Sequence, residues 1–225
     1  MPEKSPCETV RSPASRFGQL IGNVFETIVI DLIRDYLDSN FPDFEIQRPK
    51  GERSQVTLKM PGGLPRRMDN VIVMRKSEDP LALMETKWLK DTRHHNDKGA
   101  WILQLREMRK SYPTIRGAAA VVAGYWPEGV GLMLEGEGGI RMVLVATDEE
   151  VYSTLQGPLN DLFGPESFNL DASEMRKSYP EPIKLCKLAM HLEQSGQIFD
   201  IASKWLSFQR EVSEQGNVLT GTDLI

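Results

Sequence analysis

The segment "SRFGQLIGNVFETIVIDLIRDYL", residues 15–37, constrains the fold most. Phe17, Leu20, Ile21, Val24, Phe25, Ile28, Val29, Leu32, Ile33 and Tyr36 recur at helical spacing and form one broad apolar face. A helix with so wide a face must be covered by other elements, so the rest of the chain has to supply a layer for it. Ser15 is the expected N-cap, and "NFPDF" stops the helix. The next segments read as that layer. "FEIQRP", "SQVTLKM", "RRMDNVIVM" and "PLALMETKWL" are strand-like and are separated by the turn-forming "PGGLP" and "KSEDP".

After "KDTRHHND" the period becomes helical again. Trp101, Ile102, Leu105 and Met108 share a face, Asp97 is placed to cap it, and Pro113 ends it. "GAAAVVAGY" and "IRMVLVAT" read as buried strands, with "GEGG" as the turn before the second. From residue 148 the chain is helical, in "DEEVYSTL", "PIKLCKLAMHLEQ" and "QIFDIASKWLSFQREV". The expected architecture is therefore α/β, a mixed central sheet flanked by helices. Residues 1–14 read as a flexible tail, 15–147 as the core, 148–213 as a helical extension packed on the core, and 214–225 as a loose end.

Composition narrows the function classes. No run approaches the ~18 apolar residues of a membrane span, and "MPEKSPCETV" lacks the apolar centre of a secretory signal. Cys7 and Cys186 are too few for a disulfide framework or a zinc site of their own, which implies a cytoplasmic chain with reduced thiols. A net charge of −5 excludes a generally basic nucleic-acid coat, though a local patch suffices for binding. The sequence holds no glycine-rich phosphate loop with its lysine, no serine-nucleophile elbow and no cysteine in a nucleophilic context.

The chemistry is concentrated in "LALMETKWLK". Glu85 and Lys87 are two positions apart on a strand and share a face, where two buried charges are costly unless they pair or bind something. Asp69 opens the preceding apolar strand. If the two strands form a hairpin, the carboxylates of Asp69 and Glu85 meet at one end of the sheet, with the Thr86 carbonyl between Glu85 and Lys87. Such a hard-oxygen set suits Mg²⁺, which keeps several waters. A neighbouring cation would depress the Lys87 pKa and let the amine orient or deprotonate a bound water.

Asp69, fifteen intervening residues, then Glu85-Thr86-Lys87 resembles the core of the PD-(D/E)xK nuclease superfamily, which includes type II restriction endonucleases, RecB-type exonucleases and resolvases. Met68 stands where that pattern has proline. The carboxylate Glu26 on the first helix and the helix–strand–strand–strand–helix–strand order also match, over roughly residues 15–146. The resemblance implies a restriction endonuclease-like core and a Mg²⁺-dependent endonuclease acting on double-stranded DNA, with Mn²⁺ able to substitute. It further implies a restriction or defence role and a homodimer for cutting both strands. It casts Asp69, Glu85, Lys87 and Glu26 as catalytic, Asp69, Glu85 and Thr86 as metal ligands, and Gln104 as the glutamine some members place near the lysine. A non-cleaving DNA- or protein-binding module, or a single-strand or RNA nuclease subunit of a larger complex, are the alternatives.

Lys90, Arg93, His94 and Lys98 in the following loop are candidate phosphate contacts. The adjacent histidines lack further ligands for zinc. Gly18 and Gly22 precede Glu26 in one helical row and permit close approach of another backbone. "EMRKSYP" occurs at 107–113 and again at 174–180, and reads as a reused helix end, basic residues followed by proline, with phosphate contacts at two places as the alternative. The two apolar C-terminal helices are the candidates for a dimer interface or a lid.

Overall fold

The computed structural model describes residues 12–47, 56–136, 138–166 and 168–214. The expected tail over residues 1–11, with Cys7, and the loose end from 215 onward lie outside these described residues. The long helix α1 (Pro13–Asn40) starts earlier than expected. Ser12, not Ser15, is its N-cap, accepting from the Ser15 N–H at 3.3 Å, and Pro13 takes the first-turn position where a missing N–H costs nothing.

A five-stranded sheet follows in the order β1 (Phe44–Gln47), β4 (Asn70–Met74), β5 (Pro80–Leu89), β6 (Gly117–Gly124), β7 (Arg141–Thr147). β1–β4–β5 pair antiparallel and β5–β6–β7 parallel, so the expected mixed sheet forms, with β5 central. A second, two-stranded sheet pairs β2 (Val56–Lys59) with β3 (Pro65–Met68).

Alternation along β5 divides the core. Ala82 and Met84, with Val121 and Ala123 of β6, face α1 and the later helices, and Trp88 meets Phe17 of α1 edge to face at 5.6 Å. Leu83, with Val71, Val73, Ala120 and Val122, faces the other layer, where Ile102, Leu105 and Met108 pack. That layer contains α2 (His95–Leu103), α3 (Leu105–Ser111) and α4 (Glu128–Gly136). Asp91 caps the short 3₁₀ turn Thr92–His94 that leads into α2, and Asp97 sits in the first turn of α2, not at its cap. Trp101 departs from its expected buried face and is 41% exposed.

Helix α4 was not evident from "PEGVGLMLEGEGG", where glycines break the apolar pattern. The topology requires it: two parallel neighbours cannot be joined by a tight turn.

The C-terminal helices are α5 (Asp148–Phe163), α6 (Ala172–Lys177), α7 (Pro182–Ser195) and α8 (Gln197–Glu214). α7 buries Leu185, Leu188, Ala189 and Leu192, and α8 buries Ile198, Ile201, Ala202 and Trp205, in the cluster that holds α1. These residues are therefore used inside the chain, while Ile183 and Phe199 of the same helices stay exposed, at 42% and 46%.

Cys186 is fully buried and disulfide-bonded. This departs from the expected reduced thiols. It also removes the argument that placed the chain in the cytoplasm. Among the described residues no helix is long and apolar enough to cross a membrane.

Both copies of the heptapeptide end a helix. Met108 and Met175 are buried, the Arg109 guanidinium donates to the carbonyls of Gly139 at 2.9 Å and Arg116 at 3.3 Å, and Arg176 pairs with Asp148 and Glu149. Each arginine ties its helix end to a neighbouring segment, as the helix-end reading requires.

Candidate active site

Asp69 occupies a bend between β3 and β4, at the junction of the small and large sheets. The β4–β5 hairpin pairs Asn70 with Met84, so β4 ends one residue short of Glu85 and the partnerless edge of β5 begins there. Asp69 fills that edge: its Oδ2 accepts from the Thr86 N–H at 3.4 Å. In an extended strand a residue's N–H and C=O leave on the same edge, so the Thr86 carbonyl points to the Asp69 side as well.

Lys87 joins the two carboxylates. Its Nζ donates to Asp69 Oδ2 and lies 2.8 Å from Glu85 Oε2, the latter an ion pair without hydrogen-bond alignment. Three residues expected together from sequence thus converge on one point.

A fourth residue was missed. Arg66 on β3 is 3% exposed, and its Nη2 donates to Glu85 Oε1 at 3.2 Å and to the Trp101 carbonyl at 2.8 Å. Its guanidinium also lies 4.8 Å from the Trp101 ring centroid, within cation–π range. The alternation of β3 was the available signal, since Arg66 shares a face with Met68. "LPRRMDN" hid it, because adjacent arginines beside prolines look like a solvated turn.

Electrostatics separate the two acids. Burial pushes Glu85 up to about 7; Lys87 pulls the other way and Asp69 adds to the rise. Burial also disfavours charge on Asp69, but Lys87, the neighbouring Glu85 carboxyl and the Thr86 N–H together outweigh it, and its pKa falls below the usual range. Burial alone would lower Lys87, yet Glu85 and Asp69 hold it above the ordinary lysine value. The sequence reading, in which a cation depresses Lys87, therefore meets a site whose two carboxylates keep the amine protonated.

Among the described residues no group of three His, Cys, Asp or Glu side chains converges. The oxygen donors here are the two carboxylates and the Thr86 carbonyl. They fit Mg²⁺, which commonly binds through one or two carboxylates and keeps its waters. Glu85 Oε2, buried and outside any aligned hydrogen bond, is the kind of atom such an ion would satisfy.

Glu26 is on α1, which packs against the Met84–Trp88 face of β5, opposite the face of Glu85 and Lys87. It is not brought to the cluster, because periodicity on a helix does not say which sheet face the helix covers. Gly18 makes room for the Lys90 stem, with a Cβ there meeting Lys90 Cδ at 3.4 Å, while Gly22 faces nothing within 4 Å. Among the described residues, neither meets another backbone within 4 Å. Gln104 forms the α2–α3 junction, its carbonyl accepting from Glu107 and Met108.

Lys90, Arg93, His94 and Lys98 line an open groove of about 360 Å³ with Ser12, Ser15, Gln19 and Trp88. Asp91 partly neutralises it, pairing with Arg93 at 2.5 Å and Lys90 at 3.5 Å, while Lys90 also lies 4.2 Å from the Tyr179 ring.

No family model matches the chain, and no curated protein matches it. The crystal structure of a protein of unknown function, AF1548, aligns over 75% of this chain and 97% of its own, at 11% identity and a TM-score of 0.37. That likeness is too distant to support an inference about either fold or function.

Proposed function

We propose that this chain is a Mg²⁺-dependent nuclease with a PD-(D/E)xK-type centre, hydrolysing phosphodiester bonds in double-stranded DNA. The observation that carries the reading is the meeting of Asp69, Glu85 and Lys87 at the open edge of β5. A bound Mg²⁺, or Mn²⁺ in its place, supplies Lewis-acid polarisation and an activated water. Asp69 and Glu85 hold the ion, with the Thr86 carbonyl on the same edge. Lys87, kept protonated by its neighbours, acts as a donor: it orients the nucleophile or offsets charge growing on the phosphate. The basic groove past the end of β5 offers contacts to the DNA backbone. A restriction or defence role, with a homodimer cutting both strands, follows from the same reading.

A second reading, a DNA-binding module that does not cut, is favoured by the complete burial of Glu85 against Arg66, which a purely structural ion pair would also show. Incubation with supercoiled plasmid decides between them. Nicking or linearisation with Mg²⁺ or Mn²⁺, absent with Ca²⁺ and in Asp69→Asn, supports the nuclease. Shifted but intact plasmid under all these conditions supports the module.

A further inference from the structure

We propose that Lys87 is the site's own competitor for the divalent ion. Its ammonium bridges the carboxylate oxygens that would ligate the ion, so ion entry and release of the lysine form a single exchange. The proposal rests on the metal reading above and adds a role for the lysine before any chemistry occurs.

The contacts divide the cluster into fixed and exchangeable parts. Glu85 is held from behind, with Oε1 on Arg66, which is itself held by the Trp101 carbonyl and ring. Asp69 is held by the Thr86 N–H through Oδ2, the same oxygen that Lys87 meets, whereas Glu85 uses different oxygens for its anchor and for Lys87. The oxygens turned toward the centre, Asp69 Oδ2 and Glu85 Oε2, both meet Lys87 Nζ. Lys87 is the most exposed of the four charged side chains, at 16%, and its charge sits on a flexible four-carbon stem.

An ammonium and a dication placed on the same two oxygens repel each other. Mg²⁺ needs ligand oxygens at ~2.0–2.1 Å, and two positive charges about 4 Å apart repel strongly even at a protein surface. The fixed acids stay and the lysine leaves. By linkage, whatever the ion loses in affinity to the lysine, the lysine loses to the ion. The released ammonium then becomes free to meet a phosphate only when the ion is in place. The unloaded site keeps its cation internally paired and grips DNA less.

Lys87→Met removes the charge and keeps most of the stem. In a titration of the full chain, with free Mn²⁺ read by electron paramagnetic resonance, this variant should bind about tenfold or more tightly than wild type. Lys90→Met, which removes the same charge three residues along the chain, just past the end of β5, should stay within about twofold. Binding by Lys87→Met but not by wild type would support the exchange in its strongest form.

A second readout needs no substitution. Acylation of the Lys87 amine in the wild-type protein, followed by mass spectrometry, should accelerate when Ca²⁺ is added. The exchange is overturned, with the nuclease reading intact, in three cases, provided wild type binds Mn²⁺ and Asp69→Asn does not: Lys87→Met binds no tighter, Lys90→Met tightens as much, or Lys87 acylation is unchanged by Ca²⁺. Absence of saturable Mn²⁺ binding in both wild type and Lys87→Met overturns the metal reading and the exchange with it.

Discussion

Replacing Glu85 by glutamine tests two opposed expectations for the same cluster. Removing one partner of a buried ion pair ordinarily destabilises a protein by about 3–5 kcal/mol, because the other charge is left alone. Glu85, however, sits where burial outweighs its partners and pushes its pKa from 4.5 up to about 7. At about 1.36 kcal/mol per pKa unit, its ionisation in the folded chain costs about 3 kcal/mol more than in the unfolded chain. Glutamine keeps the volume and an acceptor oxygen for Arg66 without that cost.

The sign follows from proton binding. Between pH 4.5 and about 7 the folded state holds a proton that the unfolded state has released, so wild-type stability falls as pH rises and levels off above pH 7. Glu85→Gln should therefore match wild type near pH 5 and exceed it by up to about 3 kcal/mol at pH 8, about 6–12 °C in Tm for a chain of this size. Urea unfolding of the full chain in chelator at the two pH values measures it. If Glu85→Gln is destabilised by more than about 1 kcal/mol at pH 8, the Arg66–Glu85–Lys87 pairing is net stabilising and the reasoning fails.

Further outcomes are expected. Asp69→Asn, Glu85→Gln and Lys87→Ala should each abolish plasmid nicking while circular dichroism shows a native fold, since most of the several kcal/mol that a metal supplies depends on these groups. Glu26→Gln should cleave at near the wild-type rate, because α1 covers the opposite sheet face; a large loss would place Glu26 in the site after all. Gly22→Leu should fold normally, whereas Gly124→Ala should fail or unfold early in a thermal melt, because its φ is +88° and a Cβ would lie 2.0 Å from the Leu89 carbonyl oxygen. Thr147→Ala removes the reciprocal cap with Glu150 at the start of α5 and should cost about 1 kcal/mol in denaturant unfolding.

Local periodicity made α1, β5, β6, β7 and the β4–β5 hairpin legible in the sequence, and with them the approach of Asp69 to Glu85 and Lys87. Each of those inferences needs only the alternation of a strand, the turn of a helix or a short turn between neighbours. What sequence left hidden depends on distant partners. The pairing of Arg66 with Glu85 depends on the small sheet folding back over β5, and the position of Glu26 on which sheet face α1 covers. The contact of Trp101 with Arg66 likewise joins residues far apart in the chain. α4 is hidden for a local reason, since its glycines weaken both helix propensity and the apolar pattern, and only the parallel pairing of its flanking strands requires it. The apolar faces of α7 and α8 were plain, but hydrophobicity does not say whether a face meets its own chain or another.

The packing of α1 against α7 and α8 has a consequence for synthesis on the ribosome. Helix α1 is covered by helices made roughly 150 residues later. At about 5–20 residues per second the nascent chain carries the uncovered Phe17–Leu37 stripe for roughly 8–30 s. The strands of the central sheet can shield one side of that stripe as they emerge, but α7 and α8 cannot. Truncation before α7 should therefore leave a nascent chain held by chaperones, while one ending just after α8 is released.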